Sequence, residues 1–314
     1  MISVIGGSGF IGTSLCKKLE KEGLEFIILD RNISSCFPNK SLITDINDID
    51  HLRKNLSGET IINLAAVHRD DVKPADLYYK VNCEGSENLC RVAEEKNINQ
   101  IIFLSTVAVY GLDSISSEES VLNPFNHYGK SKKIAEEIFH RWHKDNKNKS
   151  LTIIRPTAVF GKGNRGNIYN LINQIYSGKF LMIGKGDNIK SIAYVENLSS
   201  FIVYTLGFDK GLHLFNYADK PDLTTKELVN RIFKNIEKKI PPFYIPSNLG
   251  LIAGYIFDFL SFILNKKLNV SSIRIKKFIS KSIIETKAFN TGFTPPIKIE
   301  KAIDYTIEEE FLKR

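Results

Sequence analysis

The stretch Ile2-Ser3-Val4-Ile5-Gly6-Gly7-Ser8-Gly9-Phe10-Ile11-Gly12 decides how this chain folds. A short apolar strand runs directly into glycines at positions 6, 9 and 12, and a helical pattern follows over 10–22. A second apolar run, Phe26-Ile27-Ile28-Leu29, ends at Asp30. Strand, glycine turn, helix, strand and acid make the context in which such a fingerprint reads as a dinucleotide site. The glycines permit a tight turn and let the backbone approach a pyrophosphate, whose charge sits at the helix N-terminus beside Phe10 and Ile11. Asp30 is placed to accept hydrogen bonds from both ribose hydroxyls, and its carboxylate repels a 2′-phosphate, so NAD is expected over NADP. The neighbouring Arg31 weakens that preference without reversing it.

The alternation continues down the chain. Leu42-Ile43-Thr44, Thr60-Ile61-Ile62-Asn63-Leu64-Ala65-Ala66, Ile101-Ile102-Phe103-Leu104 and Leu151-Thr152-Ile153-Ile154-Arg155-Pro156 read as buried strands, with a long helical pattern over 74–96 between the second and third. Strands alternating with helices imply an α/β fold, a doubly wound parallel sheet of Rossmann type. Past Pro156 the rhythm loosens, and 161–190 together with 218–314 reads as a smaller C-terminal substrate lobe. Residues 1–160 form the expected NAD domain, and 191–217, a helix and a strand, are expected to return to it. Ligands in such sheets bind beyond the carboxyl ends of the strands. Gly6, Gly9, Gly12, Asp30, Ala65, Thr106 and Pro156 all lie at those ends.

Asn126-His127-Tyr128-Gly129-Lys130-Ser131-Lys132 opens a further helix. Tyr128 and Lys132 are one turn apart on one face, so an ammonium can stabilise a phenolate and make proton transfer near neutral pH feasible. Tyr-x-x-x-Lys alone occurs by chance on many surface helices, and the strand-end residues give it its meaning here. Four cysteines, Cys16, Cys36, Cys83 and Cys90, form no Cys-x-x-Cys pair, and His140 and His143 lack a third ligand. Reduced thiols and no metal site are expected. The first strand begins at Ile2, which leaves no room for a signal peptide ahead of it, and no apolar run reaches the roughly 18–20 residues that cross a bilayer. A cytoplasmic protein is the expectation.

Gly6-x-x-Gly9-x-x-Gly12, Asp30, Asp45-Ile46, Leu64-Ala65-Ala66, Asn82, Ser105-Thr106-x-x-Val109-Tyr110-Gly111, Tyr128-x-x-x-Lys132 and Arg155-Pro156 resemble, in order and spacing, the extended short-chain dehydrogenase/reductases. The resemblance implies Tyr128 as proton acceptor, Lys132 on the nicotinamide ribose and Thr106 on the substrate hydroxyl. It puts Asp45 and Ile46 at the adenine and Ala65 and Ala66 along the cofactor, with Leu64, Asn82 and Pro156 in its surroundings. Members of the family are often homodimers. Less generic stretches, among them His68-Arg69-Asp70-Asp71-Val72 and Asn164-Arg165-Gly166-Asn167, are similar to bacterial sugar 4-epimerases of surface-polysaccharide synthesis. That likeness implies interconversion of two N-acetylhexosamines on a polyprenyl diphosphate. A UDP-linked substrate or a 4-keto-sugar reductase is the alternative, and a non-catalytic NAD-binding regulator would lack the tyrosine or the lysine.

His68, Arg69, Arg165, Asn167 and Lys190 are the groups expected to serve a diphosphate. Arg69 beside Asp70 and Asp71 is read equally well as a local ion-pair cluster. Lys190 stands where nucleotide-sugar epimerases usually have an arginine, and lysine cannot make arginine's bidentate fork. Between positions 231 and 287 there are eleven Lys or Arg against three Asp or Glu, so this region carries the whole net charge of +8. A basic lobe suits nucleic acid, a phosphorylated substrate or an anionic membrane. Its aromatics sit in apolar runs instead of alternating with lysines, which argues against nucleic acid. The run 249–264 is apolar but for Asp258, with Lys266-Lys267 beyond it. It suits a helix lying at an anionic membrane surface, so weak peripheral association with the cytoplasmic face of the inner membrane is expected, with a core helix of the lobe as the alternative.

Overall fold

The computed structural model describes residues 1–313 apart from 70, 113–114, 145–147, 242 and 265–271. Asp70, Lys266 and Lys267 therefore lie outside the described residues. The order is β1 (Ile2–Ile5), α1 (Phe10–Lys21), β2 (Phe26–Asp30), β3 (Ser41–Ile43), α2 (Ile49–Asn55), β4 (Thr60–Asn63), α3 (Asp76–Tyr79), α4 (Gly85–Glu95), β5 (Gln100–Leu104), β6 (Ile115–Ser116), α5 (His127–Lys144) and β7 (Ser150–Pro156). Then come β8 (Ala158–Phe160), α6 (Asn167–Tyr176), β9 (Ile189–Lys190), β10 (Ile192–Tyr194), α7 (Val195–Tyr204), β11 (Gly211–Tyr217), β12 (Leu223–Thr224) and α8 (Thr225–Asn235). The last elements are α9 (Ser247–Ile263), α10 (Ser272–Ile279), β13 (Ile283–Ile284) and α11 (Ile299–Ile307).

Seven strands form one parallel sheet in the order β11-β7-β5-β4-β1-β2-β3. Both faces are covered, so the strands are apolar at nearly every position and successive residues feed opposite cores. Ile2, Val4, Ile28, Ile62, Ile102 and Ile154 pack with Leu15 and Leu19 of α1 and Leu198 and Phe201 of α7. Ile5, Leu29, Ile61, Ile101, Phe103 and Ile153 pack instead with Leu52 of α2, Leu89 of α4, and Phe139 and Trp142 of α5. The order reverses between β1 and β4, which makes the carboxyl ends of those two strands the switch point.

The chain divides into two compact units: residues 1–159, 193–218 and 284–297 in the first, and 160–192, 219–283 and 298–314 in the second. The third segment of the first unit was not foreseen from the sequence. Ala288 and Phe293 are buried there, Phe293 lies 5.1 Å from the Phe201 ring, and Asn197 exchanges two hydrogen bonds with the Ile297 backbone. The helix expected over 74–96 is also interrupted. A π-turn at Lys80–Glu84 separates α3 from α4 and carries Asn82. In the second unit, α8 begins on a capping box between Thr224 and Glu227, and Arg231 holds Asp304 of α11 through two bonds of 2.7 and 2.5 Å.

Helix α9 packs in an unusual sense. Its buried stripe is small: a Cβ on Gly250 would lie 2.5 Å from Ile183, and one on Gly254 would lie 2.8 Å from the Ser272 backbone of α10. Asp258, one turn further, accepts a bond from the Ser272 N–H at 3.2 Å. Leu249, Ile252, Tyr255, Ile256, Phe259 and Ile263 are each 53–64% exposed. The core-helix alternative for 249–264 does not describe this element. Among the described residues, no helix is long and apolar enough to cross a membrane.

Candidate active site

Glycine creates the first half of the site. Gly6 adopts φ +78°, and a Cβ there would press to 2.8 Å from the Ala65 nitrogen. A Cβ on Gly12 would lie 2.5 Å from the Gly6 carbonyl, so only glycine lets α1 start this close to the turn. Gly9 is the N-cap of α1, where a Cβ would make only ordinary contact, 3.4 Å from the Gly6 carbonyl, and no side chain caps the helix. The uncapped first turn and its dipole leave a fitting place for a pyrophosphate. At the end of β2 the Asp30 carboxylate accepts the Ser8 N–H at 3.1 Å and the Asn32 N–H at 3.0 Å. Two of its acceptor positions are used, and the remainder can take ribose hydroxyls. The residues present therefore fit NAD. Asp45 accepts from the Asn47 backbone at 2.9 Å, Ile46 is buried against the second core, and Leu64 and Ala65 leave the tip of β4 beside Gly6. Arg31 is exposed, and Pro156 closes β7.

Helix α5 builds the other half. Asn126 caps it, its Oδ1 accepting the Gly129 N–H at 2.8 Å, which places Tyr128 in the first turn. Gly129 lets that turn lie against the segment after β5, since a Cβ would fall 2.5 Å from the Ala108 carbonyl. Gly129→Ala is accordingly expected to destabilise the protein by about 1–3 kcal/mol despite alanine's higher helix propensity, with a fall in kcat as Tyr128 is displaced. Chemical denaturation and turnover check this, and a stabilised, active variant would contradict it.

Ser131 donates to the Tyr128 carbonyl at 2.9 Å and receives Asn82 Nδ2 at 2.9 Å. Asn82 in turn holds both backbone groups of Val67, at 2.8 and 3.1 Å. In this structure Asn82 braces the loop after β4 against the helix that carries Tyr128. Thr106 lies at the end of β5, its Oγ1 accepting the Ala108 N–H at 3.2 Å. Tyr128 lines a cavity of about 780 Å³ with His127, Tyr78 and the 71–75 loop.

Lys132 is the most confined charge of the site. It is 1% exposed, donates to the Leu104 carbonyl at 2.8 Å and stands 3.9 Å from the centre of the Phe103 ring. Burial pulls its ammonium down to about 7, against a partial upward pull from Glu136. Glu136 is the residue sequence reading missed. It sits one turn beyond Lys132 on the core-facing side of α5, where a carboxylate among Ala135, Phe139 and Trp142 was the available signal. Arg155 grips it through Nε at 2.9 Å and Nη2 at 2.5 Å, and the Ser105 hydroxyl donates to the same carboxylate. The third guanidinium nitrogen donates to Tyr110 at 2.8 Å, and Tyr110 donates to Asn216 at 2.7 Å.

The residues expected to serve a diphosphate are divided. His68 and Arg69 belong to the first unit, where Arg69 is exposed and lies 3.4 Å from Asp71. Arg165, Asn167 and Lys190 belong to the second. Arg165 stacks 4.2 Å from the Tyr169 ring and donates to Glu310 at 2.7 Å, while Asn167 opens α6. Lys190 donates to the Lys277 carbonyl at 2.7 Å and to Ser280 at 3.2 Å, and burial draws its ammonium down to about 8.

A sheet of this order, a glycine cradle with an acid at the end of β2, and a tyrosine–lysine helix beside a threonine define a dehydrogenase/reductase of the short-chain class. The model of the NAD dependent epimerase/dehydratase family matches residues 2–217, and this chain belongs to that family. The chain is 45% identical, over 99% of its length and 95% of the relative's, to the N-acetyl-alpha-D-glucosaminyl-diphospho-ditrans,octacis-undecaprenol 4-epimerase of Escherichia coli O157:H7. It is 27% identical to the UDP-glucose 4-epimerase of Vibrio cholerae over 78% of each chain. Among solved structures, the fold matches the Thermus thermophilus UDP-glucose 4-epimerase complexed with NAD, with TM-score 0.76, 17% identity and 98% of each chain covered. It also matches the UDP-Glc/GlcNAc 4-epimerase of Campylobacter jejuni, with TM-score 0.75, 20% identity and 97% of each chain covered.

Proposed function

We propose that this protein is a 4-epimerase interconverting N-acetylglucosamine and N-acetylgalactosamine while the sugar is carried on a polyprenyl diphosphate, in surface-polysaccharide synthesis. The observation that carries the reading is the end-to-end identity with a relative named for that reaction on an undecaprenol carrier. NAD, held by the glycine turn at Gly6, Gly9 and Gly12 and by Asp30, would supply the hydride acceptor and donor for C4. The phenolate of Tyr128 takes the proton of the C4 hydroxyl, and the Lys132 ammonium, one turn away, favours the phenolate form. The Thr106 hydroxyl accepts the Ala108 N–H with one lone pair, and its own proton is assigned to hold the reacting oxygen. The 4-keto sugar then presents its other face, and Tyr128 returns the proton. Within the second unit, Arg165, Asn167 and Lys190 are assigned to the diphosphate.

No net oxidation occurs, so turnover should proceed on tightly held cofactor. Consumption of added NADH in proportion to product would replace the epimerase with a 4-keto-sugar reductase. A UDP-N-acetylhexosamine as substrate is the second reading, and the likeness to UDP-sugar epimerases favours it.

The outward apolar face of α9 supports the lipid carrier. A water-soluble helix normally turns its large apolar residues inward, whereas α9 packs through Gly250 and Gly254 and turns large apolar residues, Ile252, Ile256 and Phe259 among them, outward. Arg274, Lys276 and Lys277 on α10 are exposed nearby, and Lys276 lies 5.3 Å from the Tyr255 ring. This suits peripheral contact with the anionic cytoplasmic face of the inner membrane. Wild-type protein is expected to cosediment with vesicles containing phosphatidylglycerol, less so as salt rises. Ile256→Glu with Phe259→Glu and Ile263→Glu should weaken binding more than about tenfold, since each buried apolar side chain is worth ~1.5–3 kcal/mol. Wild-type protein that leaves such vesicles untouched at low salt would count against membrane contact.

A further inference from the structure

Lys132 is fully buried, yet its two contacts, the Leu104 carbonyl and the Phe103 ring, carry no full negative charge. The carboxylate acting on it is Glu136, one turn along α5. Tyr128 and Glu136 face the lysine from α5, and Cys83 faces it from the π-turn. The thiol of Cys83 is pushed up to about 11 by burial and adds no charge at neutral pH. Arg155 on β7 binds Glu136 through two of its nitrogens.

Stability alone does not account for a salt bridge whose side chains are 3% and 4% exposed. Apolar residues of similar volume often serve the fold as well or better. The pair's place is informative instead. Glu136 takes donors from Arg155 and from Ser105, the residue before Thr106. One carboxylate thus ties the strand end that presents Thr106 to the helix that presents Tyr128 and Lys132. Tyr110 and Asn216 fix the far side of the guanidinium, and Glu118 anchors Asn216 and Lys287 through their N–H groups at 2.8 Å each.

We propose that Glu136, clamped by Arg155, is a positioning residue for the reaction: it supplies the counter-charge that keeps Lys132 an ammonium during turnover and holds the Thr106 strand end against α5. The proposal rests on the reading of Tyr128 and Lys132 as the acid–base pair. Removing the carboxylate leaves Lys132 and Arg155 as two cations with no anion between them, so Lys132 surrenders its proton at lower pH.

The experiment compares the NAD-loaded wild type with Glu136→Gln, Glu136→Asp and the double variant Glu136→Gln/Arg155→Gln. It measures kcat against pH at saturating substrate, with the folded fraction of each protein determined alongside. In Glu136→Gln the alkaline limb should move down by about one pH unit, a tenfold change in the proton equilibrium, with kcat falling more than KM rises. Glu136→Asp should move the limb part of the way back. The double variant, which removes a cation together with the anion, should lie between wild type and the single variant. If Glu136→Gln does not fold, the double variant carries the test, since its pair is neutral and still able to hydrogen-bond. A pH profile unchanged in every folded variant, with activity tracking the folded fraction alone, would overturn the proposal. An active Tyr128→Phe control would instead overturn the acid–base reading beneath it.

Discussion

Tyr128→Phe should lower turnover by about 10²–10⁴-fold, the range over which a positioned general base acts. The change deletes one oxygen and keeps the ring, so the first turn of α5, capped by Asn126 and seated on Ala108 through Gly129, should be unchanged. The cofactor cradle at Gly6, Gly9 and Gly12 lies on β1 and α1 and should hold NAD as before. Purified Tyr128→Phe is therefore expected to carry a wild-type complement of NAD and make almost no product. Turnover within a few-fold of wild type would remove Tyr128 from the chemistry.

Lys132→Met should abolish most activity for a different reason and stabilise the cofactor-free protein. The Lys132 ammonium titrates at about 7 in the fold, against 10.5 for the exposed group. The unfolded chain therefore binds more protons between those values, and stability rises with pH across that window. Below pH 7 the full cost of burying the charge is present; above about 10.5 it is gone. Methionine fills the same space without a charge, at the expense of one bond to the Leu104 carbonyl. The variant should unfold several degrees above wild type near neutral pH and lose the pH slope between 7 and 10. Thermal unfolding measured at several pH values checks this. A variant less stable than wild type at pH 7 would mean that the lysine's contacts outweigh its burial.

Much of the fold was legible because both cores read the same strands. Ile61 and Ile62, or Ile101 and Ile102, feed opposite sides of the sheet, which a parallel sheet covered on both faces demands of its sequence. The glycine turn was legible because two backbone approaches under 3 Å tolerate no Cβ, and α5 because Asn126 is a capping residue at the right distance.

What the sequence left hidden depends on distant partners. The return of 284–297 to the first unit rests on Ala288 and Phe293 and on two bonds to Asn197, none of which makes a periodic pattern. Arg165 and Lys190 stood out as cations in polar loops. Their bonds to Glu310 and to the Lys277 carbonyl span 145 and 87 residues of sequence and left no local trace. In α9 the composition announced an apolar helix, but Gly250 and Gly254 decided which side faces inward.

The central claim is the chemistry at C4 of a lipid-carried sugar. Its most direct test gives the purified, NAD-loaded protein N-acetylglucosamine on polyprenyl diphosphate and, separately, on UDP, and identifies the sugar released from each after mild acid. Conversion of the lipid-linked sugar to N-acetylgalactosamine, with little or no change in the UDP-linked one and no NADH consumed, is the expected result. Conversion of UDP-N-acetylglucosamine alone would contradict it.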